Sequence, residues 1–130
     1  MYWERVSEKI FLFTSDRYAL VNSVAVITEP GIVVVDALPF PDEANQIARF
    51  LQLRTRMNFY KLILTHHHMD HVYGLFAFPE HLHVIGHRLC RELLLDIGEA
   101  SLDEARRSDP VFAEVAIRPP TITFDTGELI

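Results

Sequence analysis

The chain has a single cysteine, Cys90, so no internal disulfide can form and cysteine usage sets no redox compartment. No segment approaches the ~20 apolar residues that a membrane helix needs. The first ten residues carry Glu4, Arg5, Glu8 and Lys9, and no signal-type apolar stretch follows them. The default expectation is a cytoplasmic protein with no membrane partner. Positive charge is also short: 12 Lys and Arg against 18 Asp and Glu leave a net charge of -6. A nucleic-acid surface needs clustered Lys and Arg, so no nucleic acid is expected as a partner. No Gly-any-Ser-any-Gly elbow is present to seat a nucleophilic serine. What remains is 130 residues, 49% hydrophobic and 23% charged, enough for one globular domain with a sizeable core.

Histidine is what the chain concentrates. Four of its seven histidines fall in the stretch Leu62-Ile63-Leu64-Thr65-His66-His67-His68-Met69-Asp70-His71. Tyr60 to Leu64 reads as a buried strand that ends at Thr65. If the backbone stays extended, His66 and His68 point to one side and can grip one cation. If it then turns helical near Met69, Asp70 and His71 splay away and can reach a second. Imidazole and carboxylate both suit a borderline divalent metal. A merely solvated polar loop fits less well, because imidazoles packed behind a hydrophobic strand are partly buried and need partners. His67 and His71 stand four apart like a zincin pair, but that motif requires Glu where His68 stands.

These residues resemble the metallo-β-lactamase fold hydrolases, whose signature is His-any-His-any-Asp-His behind a strand, usually with Thr before the first His. Thr65, His66, His68, Asp70 and His71 match it position by position. The resemblance implies an αββα sandwich of the α/β class. His66 and His68 would bind the first metal, Asp70 and His71 the second, and Asp70 would also orient the attacking hydroxide. Zinc is the implied cofactor, two ions per complete site, with iron or manganese as alternatives. His67 fills a variable position and occurs often in the glyoxalase II-like branch. Where the family has two glycines after the motif, this chain has Tyr73 and Gly74.

Elsewhere the pattern predicts strands at Lys9 to Thr14, Tyr18 to Thr28 and Gly31 to Asp36, joined by turns at Ser15-Asp16-Arg17 and Glu29-Pro30-Gly31. They are expected to form an antiparallel meander. Asp36 could be a turn former bonding nearby backbone N–H groups; the resemblance makes it a brace for a metal ligand. Leu38 and Phe40 follow on either side of Pro39, as ordinary capping or core residues or, as the resemblance implies, at the substrate mouth. Ala44, Ile47, Ala48 and Leu51 predict a helix from Pro41 to about Thr55, with Asp42 as its N-cap.

Val72 to Phe78 is short and apolar, stopped by Pro79. A strand is expected at His83 to Gly86, then a helix from His87 to Ile97 with Leu89, Cys90, Leu93, Leu94 and Ile97 apolar and Gly98 as its stop. Ser101-Leu102-Asp103-Glu104 reads as a capping box opening another helix. His81, His83 and His87 match no metal spacing and are expected at the surface or at strand ends. Cys90 is expected in the core rather than as a nucleophile. Thr121 to Phe124 reads as a strand, Asp125-Thr126-Gly127 as a turn, and Glu128-Leu129-Ile130 as a strand just beginning.

The family domain is substantially longer, and its second half supplies another sheet and further ligands. Residues 1–130 are therefore expected to be the amino-terminal half of such a domain, truncated after Ile130 and completed by a carboxy-terminal half or by a homodimer partner. The implied reaction is metal-assisted hydrolysis of an ester, thioester, amide or phosphoester in a small-molecule substrate. Half a ligand set predicts little turnover by this chain alone. Alternatives are an iron-dependent oxygenase or other redox member of the fold, or a non-catalytic metal-binding or assembly fragment.

Overall fold

The computed structural model describes residues 1–127, so the short arm expected at Glu128 to Ile130 lies outside the described residues. Seven strands stand side by side in chain order: β1 (Tyr2–Ser7), β2 (Ile10–Thr14), β3 (Asn22–Ile27), β4 (Ile32–Val35), β5 (Phe59–Ile63), β6 (Val84–His87) and β7 (Ile122–Phe124). β1 to β4 pair antiparallel, as short turns allow, and β4 to β7 pair parallel. Parallel neighbours need crossovers. α1 (Pro41–Arg54) joins β4 to β5; α2 (Met69–Val72) and a 3-10 turn at Tyr73–Ala77 join β5 to β6. α3 (Arg88–Leu93), a π turn at Leu94–Gly98 and α4 (Glu99–Ser108) lead toward β7. Crossovers of one hand, all travelling the same way across a sheet, stack their helices on one face.

Burial follows that asymmetry. On the covered face, Phe11, Ala25, Val34, Leu62 and Val84 lie in one register row and are all buried. On the other face, Leu12, Val24, Val35, Ile63 and Ile85 form a second row, and each is only half-buried. This second row is apolar without being covered within the described residues. No helix among them is long and apolar enough to cross a membrane.

Several elements differ from expectation. β1 carries no legible pattern because all six of its residues are exposed; Trp3 instead leans on Phe50 of α1, with ring centroids 4.8 Å apart. β3 starts at Asn22 rather than Tyr18, because Ala19 and Leu20 turn through φ of 49° and 53°. Asp42 is not the N-cap of α1. Phe40 holds that place without a side-chain bond, Pro41 fills the first turn, and Asp42 binds Arg17 at 2.7 Å. Gly98 does not end a helix: with φ −59° and ψ −49° the chain stays helical through it. Ser101 consequently lies inside α4 and caps nothing. Of the five apolar residues expected on the preceding helix, only Cys90 and Leu94 are buried.

Two polar side chains, Glu43 buried and Arg118 half-buried, tie separate segments together. Glu43 of α1 is 2% exposed; its Oε1 accepts from Ser15 Oγ at 3.1 Å, while Oε2 has no partner among the described residues. Burial holds its carboxyl above the usual range. The Arg118 guanidinium donates to the carbonyls of Leu75, Phe78, Pro79 and Leu82 at 2.8–3.1 Å. It thereby pins the loop after the 3-10 turn to the segment entering β7.

Candidate metal centre

β5 delivers the histidines to the carboxyl end of the parallel strands, where α/β sheets place their chemistry. Bends at Thr65 and His67 follow, and His68 (φ −63°, ψ 146°) is the last extended residue before α2. The bends interrupt strict alternation between His66 and His68. His66, Asp70 and His71 come together, their ligand atoms all within 4.8 Å of one another. His68 stands outside that group; its ring lies 4.8 Å from that of His66 and nearly perpendicular to it. The His66 and His71 rings are 4.1 Å apart.

Asp36 organises the group from the end of β4. Parallel pairing aligns Val35 with Ile63, which brings Asp36 beside Thr65. Its N–H donates to Ile63 O at 2.9 Å, and its carbonyl accepts from the buried Ser23 hydroxyl at 2.7 Å. The next residue, Ala37, donates its N–H to His71 O at 2.9 Å. The Asp36 side chain is 4% exposed, and Oδ1 accepts the Thr65 N–H at 2.9 Å. Oδ2 accepts the Thr65 hydroxyl at 2.7 Å and faces His71 Nδ1 at 2.8 Å.

These contacts fix tautomers. A carboxylate only accepts, so His71 Nδ1 carries the proton. The one Thr65 hydroxyl proton goes to Asp36, so Thr65 Oγ1 accepts from His66 Nδ1, 2.9 Å away. Both Nε2 lone pairs are therefore free, and His71 Nε2 lies 3.4 Å from Asp70 Oδ2. Burial is the first cause that lowers the His66 pKa, with charge on His71 and His68 adding to it. A lowered pKa favours neutral imidazole, the form that binds metal. Two imidazoles with free lone pairs, one carboxylate and a bracing carboxylate behind them suit a divalent cation.

His83 and His87 are engaged elsewhere. His83 Nδ1 lies 3.0 Å from Thr121 Oγ1. His87 accepts the Leu89 N–H at the start of α3 and lies 3.0 Å from Asp125 O. His81 joins no group of three metal-binding side chains among the described residues. Cys90 is buried, and burial pushes its thiol pKa up, which suits a core residue. Leu38 is fully buried at φ 64° and belongs to the core. Phe40 is stacked on Phe112 at 5.8 Å with the Arg17 guanidinium 4.0 Å over its ring. Sequence patterning did not mark the cavity beside the motif, which His67 and His68 share with α4 and Phe112; its walls come from segments up to 50 residues apart.

The family description that matches this sequence is the metallo-beta-lactamase superfamily, over residues 18–127. Among solved structures, a metallo-beta-lactamase from Pontibacter korlensis superposes with a TM-score of 0.73 at 18% identity, covering 96% of this chain and 53% of that one. The DIM-1 metallo-beta-lactamase gives 0.70 at 19% identity, with 96% and 51% covered. A metallo beta lactamase from Erythrobacter litoralis gives 0.68 at 15% identity, with 96% and 50% covered. The chain thus spans about half the length of these structures. No curated protein matches it.

Proposed function

The chain belongs to the metallo-beta-lactamase superfamily, and we propose from that membership that it is the amino-terminal half of a metal-dependent hydrolase. The observation that carries the proposal is the hydrogen-bonded relay from Asp36, directly to His71 and through Thr65 to His66, which engages Nδ1 of both rings and leaves His71 Nε2 3.4 Å from Asp70. His66, His68, Asp70 and His71 would hold the metals, two per complete site, with zinc the first choice and iron or manganese the alternatives. Divalent metal there supplies Lewis acidity and hydroxide at neutral pH. The chain's own residues do the rest. Asp36 and Thr65 hold the two imidazoles in one tautomer, and Asp70 would orient the attacking water. The substrate is a small molecule with an ester, thioester, amide or phosphoester bond.

The uncovered row Leu12, Val24, Val35, Ile63 and Ile85 supports the second part of the proposal, that a complementary sheet completes the domain. A carboxy-terminal half is the favoured occupant, and a second copy is the alternative. On its own, the 130-residue chain is expected to self-associate; sedimentation as a compact, stable monomer would overturn this. For the complete protein, activity on p-nitrophenyl acetate should vanish on chelation and return with zinc. Undiminished hydrolysis after metal removal would sink the metal-dependent assignment.

A further inference from the structure

Beside the histidine loop lies a cavity of about 490 Å³, within the size range of small-molecule sites. Tyr73, Leu94, Ile97, Phe112 and Ile117 supply apolar wall, and His67 and His68 meet the cavity on the side of the metal centre. Among the described residues no lysine or arginine lines it, and its one carboxylate is that of Glu104.

Two features of the helical wall lack any other account. The helix that runs from Arg88 to Ser108 is wound as a π turn at Leu94–Gly98, where it borders the cavity. Such turns are rare and recur at functional sites. Gly98 lies within that helix at φ −59°, a conformation any residue adopts. A Cβ there would meet Ile117 Cγ2 at 3.6 Å and Leu94 Cβ at 3.8 Å, ordinary contacts with two cavity walls. Glycine inside a helix is destabilising relative to alanine. Neither backbone nor packing requires it; what it leaves is room.

We propose that this cavity binds a neutral, apolar acyl chain of the substrate, with the scissile carbonyl held toward His66, Asp70 and His71. The inference rests on the hydrolase assignment and narrows it to uncharged acyl substrates, esters and thioesters among them. A phosphoester would meet Glu104 with no cationic wall to receive it, and an acyl chain ending in a second carboxylate would meet the same repulsion. In the reaction one water is consumed: its oxygen joins the acyl carbon, the C–O or C–S bond breaks, the alcohol or thiol departs with one of the water's protons, and the other is released as the acid product ionises.

Binding and turnover test this separately. Octanol titrated calorimetrically into the metal-free complete protein should bind, and Gly98→Leu should weaken it about tenfold or more, as expected when a buried chain loses several methylenes of contact. Ser101→Phe, at an exposed cavity-lining position, should do the same if Gly98→Leu fails to fold. In the zinc-loaded protein the ratio of kcat/KM for p-nitrophenyl octanoate to that for the acetate should fall by a similar factor in either variant. No octanol binding, or an affinity and an ester ratio that neither variant changes, would overturn the proposal. Octanol binding sensitive to both variants, without hydrolysis of any ester, would leave the cavity assignment standing and remove the hydrolase one.

Discussion

Gly74→Ala is expected to cost about 3–5 kcal/mol, near the upper end for a single substitution. A Cβ at this position would sit 1.9 Å from the Ala37 carbonyl oxygen and 2.8 Å from Ala44 Cβ. Neither neighbour can give way. Ala37, Leu38 and Ala44 are all fully buried, and the Gly74 N–H itself donates to Leu38 O at 2.9 Å. The 3-10 turn, the loop after β4 and the first half of α1 are therefore pressed together at a point where only a hydrogen fits. A domain of ordinary stability, about 5–15 kcal/mol, would lose a large fraction of it. The damage reaches the metal centre, because Ala37 is bonded to His71 O and follows Asp36 directly. Urea unfolding should show a much lower midpoint with little change in slope, and zinc affinity should drop under conditions where the variant is still folded. A wild-type midpoint would show that this junction is looser than the contacts imply.

What could be read from the sequence follows from how each segment meets its surroundings. α1 has one buried face, so Ala44, Ile47, Ala48 and Leu51 betray it. β2 and β4 are visible as short continuous apolar runs, although in the structure each alternates between a buried and a half-buried face. β1 buries nothing and leaves no trace. Gly98 and Ser101 misled because their usual signals depend on the chain leaving or entering a helix. Here the chain is already helical on both sides, its N–H groups are bonded along the axis, and neither a left-handed stop nor a cap is called for. At the site, spacing pairs His66 with His68 in the sequence, and the structure adds a proximity that spacing does not show: the ligand atoms of His66, Asp70 and His71 lie within 4.8 Å of one another. The hydrogen bonds of Asp36 to Thr65 and His71 span 29 and 35 residues, and only the parallel register of β4 and β5 closes that distance.

Asp36→Asn should lower zinc affinity about 10–100-fold while leaving the fold intact, the range typical of lost support behind a ligand histidine. Asparagine is chosen because position 36 stands at φ 56°, a left-handed conformation that Asn tolerates and Ala does not. Size and shape are kept, so the change acts through protons. If the new amide places its NH2 where Oδ2 stood, it faces His71 Nδ1 as a donor, and the imidazole must move its proton to Nε2. That is the atom 3.4 Å from Asp70 Oδ2, the one offered to the metal. Thr65 loses its acceptor at the same time, so its hydroxyl is freed to donate to His66 Nδ1, pushing that ring toward the same unproductive tautomer. If the amide is turned the other way, its NH2 opposes the Thr65 N–H at 2.9 Å, and the loop that carries His66 is displaced instead. Competition with a chelator measures the affinity, and the nitrogen-15 shifts of His66 and His71 in the metal-free protein report the tautomers. Unchanged zinc affinity together with the wild-type shifts would show that Asp36 merely closes a turn.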